Sequence, residues 1–248
     1  SWLRVVYTTA PTPTNGGTVE SGNTKRAVVV ALDDTIVVVN KPPGMRSQPD
    51  AGGAESVLTY TAAQSAGPIY PIHRLDRPAS GVVVFARTRH AAADLSSQIT
   101  SGEMKRYYWA IVGKPPETDS GVLVHHLRHD RRANKSYCSR EGKRAELAYR
   151  VAARSDRYVL MEIRLISGRT HQIRAQLAAI GSPIRGDLKY GARRSQREGG
   201  IALHAVTIVL RHPKTRSLNA FVAPPPDTPL WKAITAGIDY PGYTEEGS

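Results

Sequence analysis

The sequence predicts an α+β fold, a single domain on a mixed, largely antiparallel sheet. Three observations lead there. Strand-sized β-branched runs outnumber helical stretches. They arrive in consecutive series and do not alternate with helices, which argues against a doubly wound parallel sheet. Finally, no internal repeat and no clear linker divides the 248 residues, a length that one core can serve.

Residues 1–26, rich in Thr, Pro and Gly and without an apolar signal core, read as an extended arm. Ala27–Leu32 and Thr35–Asn40 flank Asp33-Asp34 and predict a hairpin, closed by the rigid turn Lys41-Pro42-Pro43-Gly44. A short helix over Glu55–Ala66 ends at Gly67-Pro68, and Val82–Arg87 is a strand. Thr88 suits an N-cap and Gly102 a C-cap for a helix running to about Ile99. Lys105–Val112, Val122–His126, Lys135–Ser139, Ala145–Ala152 and Tyr158–Leu165 follow as strands. The stripe Ile173, Leu177, Ile180 predicts a helix over Thr170–Ile180, stopped by Gly181. Ile201–Leu210 and Leu218–Val222 are late strands, and a short helix lies near Leu230–Ala236. The domain therefore spans 27–238, with 239–248 left as a tail.

Hydrophobic residues at 40% and charged residues at 22% place the chain among globular proteins and outside disordered ones. No apolar run is long enough to span a bilayer, and no basic amphipathic helix suggests a membrane surface. One cysteine, Cys138, excludes an internal disulfide and a cysteine-rich zinc site. No histidines sit at ligand spacing with Glu or Cys, so no metal is expected. Glycine loops for dinucleotides or nucleoside triphosphates are missing, as is a Gly-x-Ser-x-Gly elbow. The informative bulk property is charge: 34 Lys and Arg against 21 Asp and Glu give +13. A polyanion, with RNA or DNA the usual one, is the implied partner.

Four segments concentrate chemistry. In Tyr70–Gly81, Asp76 stands between Arg74 and Arg77 after His73, inside a loop punctuated by Pro and Gly and followed by an apolar strand. Such loops carry reactive groups, and positive neighbours favour an ionised carboxylate. Gly168-Arg169-Thr170-His171-Gln172-Ile173-Arg174 puts cations at a helix start, where the dipole favours anions. Taken alone, the pattern reads as arginines paired with acidic neighbours on the surface or as a functional site, and the cluster can supply the positive partner that Asp76 needs. Lys105-Arg106-Tyr107-Tyr108-Trp109 interleaves cations and aromatics, as stacking platforms for unstacked bases do. Alternation makes Tyr107 and Tyr108 face opposite ways, so that either one packs in the core and one faces a ligand, or all three aromatics are packing. The glycine-bounded Gly186-Asp187-Leu188-Lys189-Tyr190-Gly191 says little alone.

Together these segments resemble the pseudouridine synthases of the RluA class. The resemblance rests on Asn40–Gly44, His73–Gly81, Arg106-x-Tyr108-x-Ala110 with Gly113, Gly168–Arg174, Gly186-Asp187 with Tyr190-Gly191, Leu203-His204-Ala205 and His212-Pro213, in family order. It implies an RNA isomerase that needs neither cofactor nor metal, breaking the glycosidic bond of uridine and rejoining the base through C5. By position, Asp76 would be the catalytic aspartate, Tyr108 the tyrosine stacked on the target base, and Arg174 the basic partner of Asp76. Arg74 would fill the space left by the departed base. His73, Arg74, Arg77, Lys105, Arg106, Arg169, His171 and Gln172 are the expected RNA-binding residues. Two departures stand out: Ala79 where the family usually has Thr, and Gln48 where His is common.

The expected substrate is ribosomal RNA, with assembly proteins as further partners. A ribosome-assembly scaffold of the same fold and a base-releasing glycosylase are the competing classes. High Arg content and a first residue other than Met lead to a mitochondrial expectation, with the cytoplasm as the alternative.

Overall fold

In the computed structural model, the described residues are 4–7, 26–50, 52–65 and 67–242. Twelve strands among them form one sheet, in the order β2-β3-β5-β11-β6-β10-β9-β7-β8, with β12 beside β11, β1 beside β12 and β4 beside β5.

The elements follow the residue patterns. β2 (Val28–Leu32) and β3 (Ile36–Lys41) pair antiparallel across a tight turn, in which Asp33 Oδ1 accepts the Thr35 and Ile36 N–H groups. α1 (Val57–Gln64) starts on a capping box between Ser56 and Thr59. β5 (Ser80–Ala86) is buried along its whole length, as its uninterrupted apolar run requires of a central strand. α2 (Arg89–Ser101) is capped by Thr88 at one end and by Gly102, with φ 76°, at the other. β6 (Lys105–Val112), β7 (Ser120–Asp130), β8 (Lys135–Cys138), β9 (Lys143–Arg154) and β10 (Val159–Leu165) then lay down the antiparallel half of the sheet. α3 (Gln172–Ala179) packs on β7 and β8. β11 (Leu203–Arg211) returns to the centre beside β6, and its two halves contact β5 and then β12 (Leu218–Val222). α4 (Pro229–Thr235), capped by Thr228, closes the fold.

The β5–β11 junction depends on Gly81. Its φ is 117°, and a Cβ there would lie 2.7 Å from the Ala205 carbonyl carbon and closer still to the Ala205 O and N. Only a residue without a side chain lets these two backbones meet.

Two segments that the sequence places outside the domain make contact with it. Arg4–Tyr7, within the expected arm, is strand β1 and pairs parallel with Asn219–Val222. The run Arg-Val-Val-Tyr is short and hidden among Thr and Pro, so periodicity gives no warning of it. Apart from Arg26, the rest of the arm lies outside the described residues. In the expected tail, Tyr240 stacks on Trp109 with ring centroids 5.2 Å apart, so the tail's first residues belong to the packed body. Two small elements also went unread: β4 (Tyr70–Pro71), beside β5, and a 3-10 turn over Leu188–Tyr190.

Candidate active site

Asp76 lies in the loop that enters β5, and the turn after β3 holds that loop in place. The Lys41 side chain is fully buried and donates to the carbonyls of Pro42, Met45 and Arg77 at 3.0, 2.8 and 3.2 Å. Burial draws its ammonium down to about 7, while three acceptors call for three N–H donors and so favour the protonated form. Gly44 N–H donates to Arg77 O at 2.8 Å, Arg77 Nε returns a bond to Gly44 O at 2.9 Å, and Ser47 Oγ bridges the Leu75 N–H and C=O. Ala79, where the resemblance calls for Thr, donates its backbone N–H to Asp76 O at 3.0 Å. The loop is therefore braced through backbone and the Lys41 turn, without a hydroxyl at 79.

Across the cleft stands Arg174, only 5% exposed. Its Nε and one terminal nitrogen grip both oxygens of Asp187 at 2.7 and 2.8 Å. The other terminal nitrogen donates to Asp76 Oδ2 at 3.1 Å. A bidentate fork of this kind fixes the plane of the guanidinium, and Tyr190 lies under it with its ring centroid 4.9 Å from Arg174 Cζ. Burial works against the Arg174 charge, but Asp187 and Asp76 outweigh it and hold the group above its ordinary value. His171 precedes α3 with φ 53°, a left-handed conformation that strains a residue other than glycine. Its Nδ1 shares a hydrogen bond with the Tyr190 hydroxyl at 3.1 Å, and its Nε2 is 3.8 Å from Asp76 Oδ2. Burial pushes its pKa down to about 4, so the ring is neutral at ordinary pH.

Asp76, with its side chain 16% exposed, faces two cavities that share its wall. One, of about 410 Å³, is bordered by Arg46, Gln48, Arg77, Asn134 and Lys189. The other, of about 580 Å³, is bordered by Arg106, Tyr108, Ile173, Leu203 and Gly168. Arg74 lines both. These volumes lie within the range of small-ligand sites. The second cavity offers an aromatic face, apolar walls and a carboxylate. Burial raises the Tyr108 hydroxyl's pKa, with Arg106 opposing and Asp76 adding, so the phenol stays protonated.

The three residues expected to act together are thus brought to one place: Asp76 bonds Arg174 and shares a cavity with Tyr108. Arg74, Arg77, Arg106, Arg169 and His171 border the same two cavities. Three other expected RNA contacts also have partners inside the protein, although His73 and Gln172 line the cavity that holds Tyr108. His73 accepts the Val84 N–H on Nε2 at 3.0 Å, and burial, with Arg106 nearby, lowers its pKa to about 3; it is a brace for β5. Gln172 spends its whole amide inside the protein: Oε1 accepts from Ser167 Oγ and Arg169 N, and Nε2 donates to Glu146 O. Lys105 sits on the opposite face of β6 from Arg106 and Tyr108 because strand side chains alternate, and its Nζ bonds Gly102 O at 2.7 Å. Lys41, Ser47, Asp187 and Tyr190 went unassigned. In the sequence Asp187, the strongest partner of Arg174, is only part of a glycine-bounded segment of the resemblance, with no role of its own.

Comparison with known proteins identifies the family. A family model described as RNA pseudouridylate synthase matches residues 35–179, a stretch that holds Asp76, Tyr108 and Arg174. The dual-specificity RNA pseudouridine synthase RluA of Pasteurella multocida is 34% identical over 206 residues, covering 79% of this chain and 92% of that protein. Ribosomal large subunit pseudouridine synthase D of Xylella fastidiosa is 33% identical over 217 residues, covering 79% of this chain and 65% of that protein. Among solved structures, human RNA pseudouridylate synthase domain containing 1 superposes with a TM-score of 0.71 at 21% identity, covering 86% of this chain and 89% of that one, and so shares the fold. The chain belongs to the RNA pseudouridylate synthase family and is an isomerase that forms pseudouridine.

Proposed function

We propose that this isomerase modifies uridine in ribosomal RNA, with Asp76 as the group that acts on a nucleotide turned out of its strand. The observation that carries the reading is the Asp76–Arg174 bond of 3.1 Å at the mouth of the cavity that holds Tyr108. A base inside a helix is out of reach of any side chain, so it must leave the stack, at about a few kcal/mol. Tyr108 gives the extruded uracil a flat apolar face, and Ile173 and Leu203 exclude water around it. Asp76 then stands at the sugar edge of the base, where a carboxylate can attack carbon or remove a proton. Net isomerisation breaks N1–C1′, forms C5–C1′ and moves the C5 proton to solvent while N1 gains one; no other reagent is consumed. Arg174, held by Asp187, keeps the carboxylate aimed through these steps.

Ribosomal RNA is favoured because the Xylella fastidiosa relative is named for the large ribosomal subunit, and because a net charge of +13 suits a long polyanion. Site-resolved pseudouridine maps of RNA from cells with the protein, without it, and with Asp76→Asn test the reading. At least one ribosomal uridine should be modified only with the unaltered protein, while Asp76→Asn still binds the RNA. If Asp76→Asn leaves every modified site intact, Asp76 is not the acting group. If only uridines outside ribosomal RNA respond, the substrate assignment fails.

A further inference from the structure

Three Lys and Arg side chains are buried among the described residues: Lys41, Arg106 and Arg174. Lys41 has three carbonyls, and Arg174 has two carboxylates. Arg106 has neither. It is 7% exposed, no Asp or Glu pairs with it, and its Nε is buried without a hydrogen-bond partner among the described residues. A buried guanidinium without a counter-ion opposes folding. Folds keep such a conflict where function needs it.

Its position indicates what would satisfy it. Arg106 and Tyr108 lie two residues apart on β6, so they point to the same face, roughly 7 Å apart along the strand. Both border the cavity of about 580 Å³. That separation suits the reach from a nucleobase resting on Tyr108, across its ribose, to its own phosphate. Gly168 flanks the guanidinium on the other side, where a Cβ would stand 3.0 Å from an Arg106 terminal nitrogen. The bare glycine leaves the group room to lie against the cavity wall. A neutral uracil carbonyl could fill a hydrogen bond here but not balance the charge; a phosphate does both.

We propose that Arg106 is a substrate-binding residue that receives a phosphate of the extruded nucleotide from inside the cavity wall, so that the site favours a nucleotide held in a phosphodiester chain over a free nucleoside. The proposal rests on the reading of Asp76 and Tyr108 given above.

Two measurements on the full chain decide it. The first is the salt dependence of KM for a modifiable RNA, in which each phosphate contact on a single strand contributes about 0.7 to the slope of log affinity against log salt. Arg106→Gln should flatten that slope by about this amount and raise KM by about tenfold, and Arg106→Lys should restore most of the slope. The second titrates uridine, uridine 5′-monophosphate and uridine 3′-monophosphate against the protein by its intrinsic fluorescence. The unaltered protein should prefer one of the phosphates, and Arg106→Gln should erase that preference. Because this substitution removes an unmatched buried charge, Arg106→Gln should melt no lower than the unaltered protein, which separates lost binding from lost folding. An unchanged slope, or equal affinity for nucleoside and both monophosphates in the unaltered protein, overturns the proposal. If the unaltered protein makes no pseudouridine in any RNA, the functional reading fails instead, and the nucleotide titration still decides the role of Arg106.

Discussion

Asp187→Asn should destabilise the protein far more than Asp76→Asn, although both remove a carboxylate from the same guanidinium. Arg174 makes three bonds to these residues: two to Asp187, which is 1% exposed, and one to Asp76, whose side chain is 16% exposed. Removing one member of a buried ion pair costs about 3–5 kcal/mol, because the remaining charge is stranded. Counting two charge-assisted bonds at about 1.5–3 kcal/mol each gives roughly the same figure. For a chain of this size each kcal/mol lowers the melting temperature by about 2–4 °C, so the expected fall is about 6–20 °C. Asp76→Asn leaves the Asp187 fork intact, and its amide oxygen can still accept the third bond, so the loss should stay under about 1 kcal/mol. Thermal unfolding, read beside pseudouridine formation at a temperature where both variants are folded, separates the two roles. Asp187→Asn should melt low and lose activity through a misaimed Arg174; Asp76→Asn should melt normally and be inactive. Equal melting temperatures for the two variants would refute the reasoning, since Arg174 would then not be anchored from Asp187.

Two further outcomes follow from the structure. Gly81→Ala forces a Cβ into the Ala205 backbone at a φ of 117°, so it should cost several kcal/mol, roughly the scale of other severe core changes; a variant with an unaltered urea midpoint would show that the β5–β11 junction can shift. Burial lowers the pKa values of His73, His171 and His204 to about 3, 4 and 4, against an ordinary value of 6.5. Their contribution is present above pH 6.5 and lost as the pH falls toward 4, because the unfolded chain then binds protons that the folded one refuses, at about 1.4 kcal/mol per pH unit for each ring. Urea midpoints at pH 7.5, 6 and 5 should fall in that order; a flat series would mean that these rings accept protons without opening the fold.

Much of the site was legible because it rests on short-range rules. The continuous apolar run of β5 announces a buried strand, and the Pro- and Gly-bounded loop before it announces where Asp76 is displayed. Alternation separates Tyr107 from Tyr108, and the structure puts Tyr108 in the cavity while Tyr107 packs near Gly242 on the other face. The same rule, applied one step earlier, puts Lys105 and Arg106 on opposite faces of β6, so only Arg106 of the two borders the cavity with Tyr108. Other features depend on where a side chain ends. Gln172 and His73 look exposed in type, yet each closes hydrogen bonds inside the protein. Asp187 lies 13 residues beyond Arg174, past the end of α3 and a turn, and no local period connects them. The cage around Lys41 is built from carbonyls, which every residue carries and no sequence pattern marks.

The internal charges give one reason why an anionic substrate would settle where it does. Around the site, Lys41 is held by three carbonyls, Arg174 by Asp187 and Asp76, and the nearby imidazoles of His73 and His171 are neutral at ordinary pH. Of the three buried cations, Arg106 is the one with no carboxylate paired to it and with its Nε lacking a hydrogen-bond partner among the described residues. A single phosphate brought in with the extruded nucleotide, as proposed, would match that one cation without disturbing the Asp187–Arg174–Asp76 chain. An uncharged nucleoside would leave Arg106 as it was. The chain as a whole, at +13, can draw in RNA of any sequence. The proposed Arg106 contact is sharper: it would reward a phosphate at one distance from Tyr108, and so tie recognition of the backbone to the placement of the base.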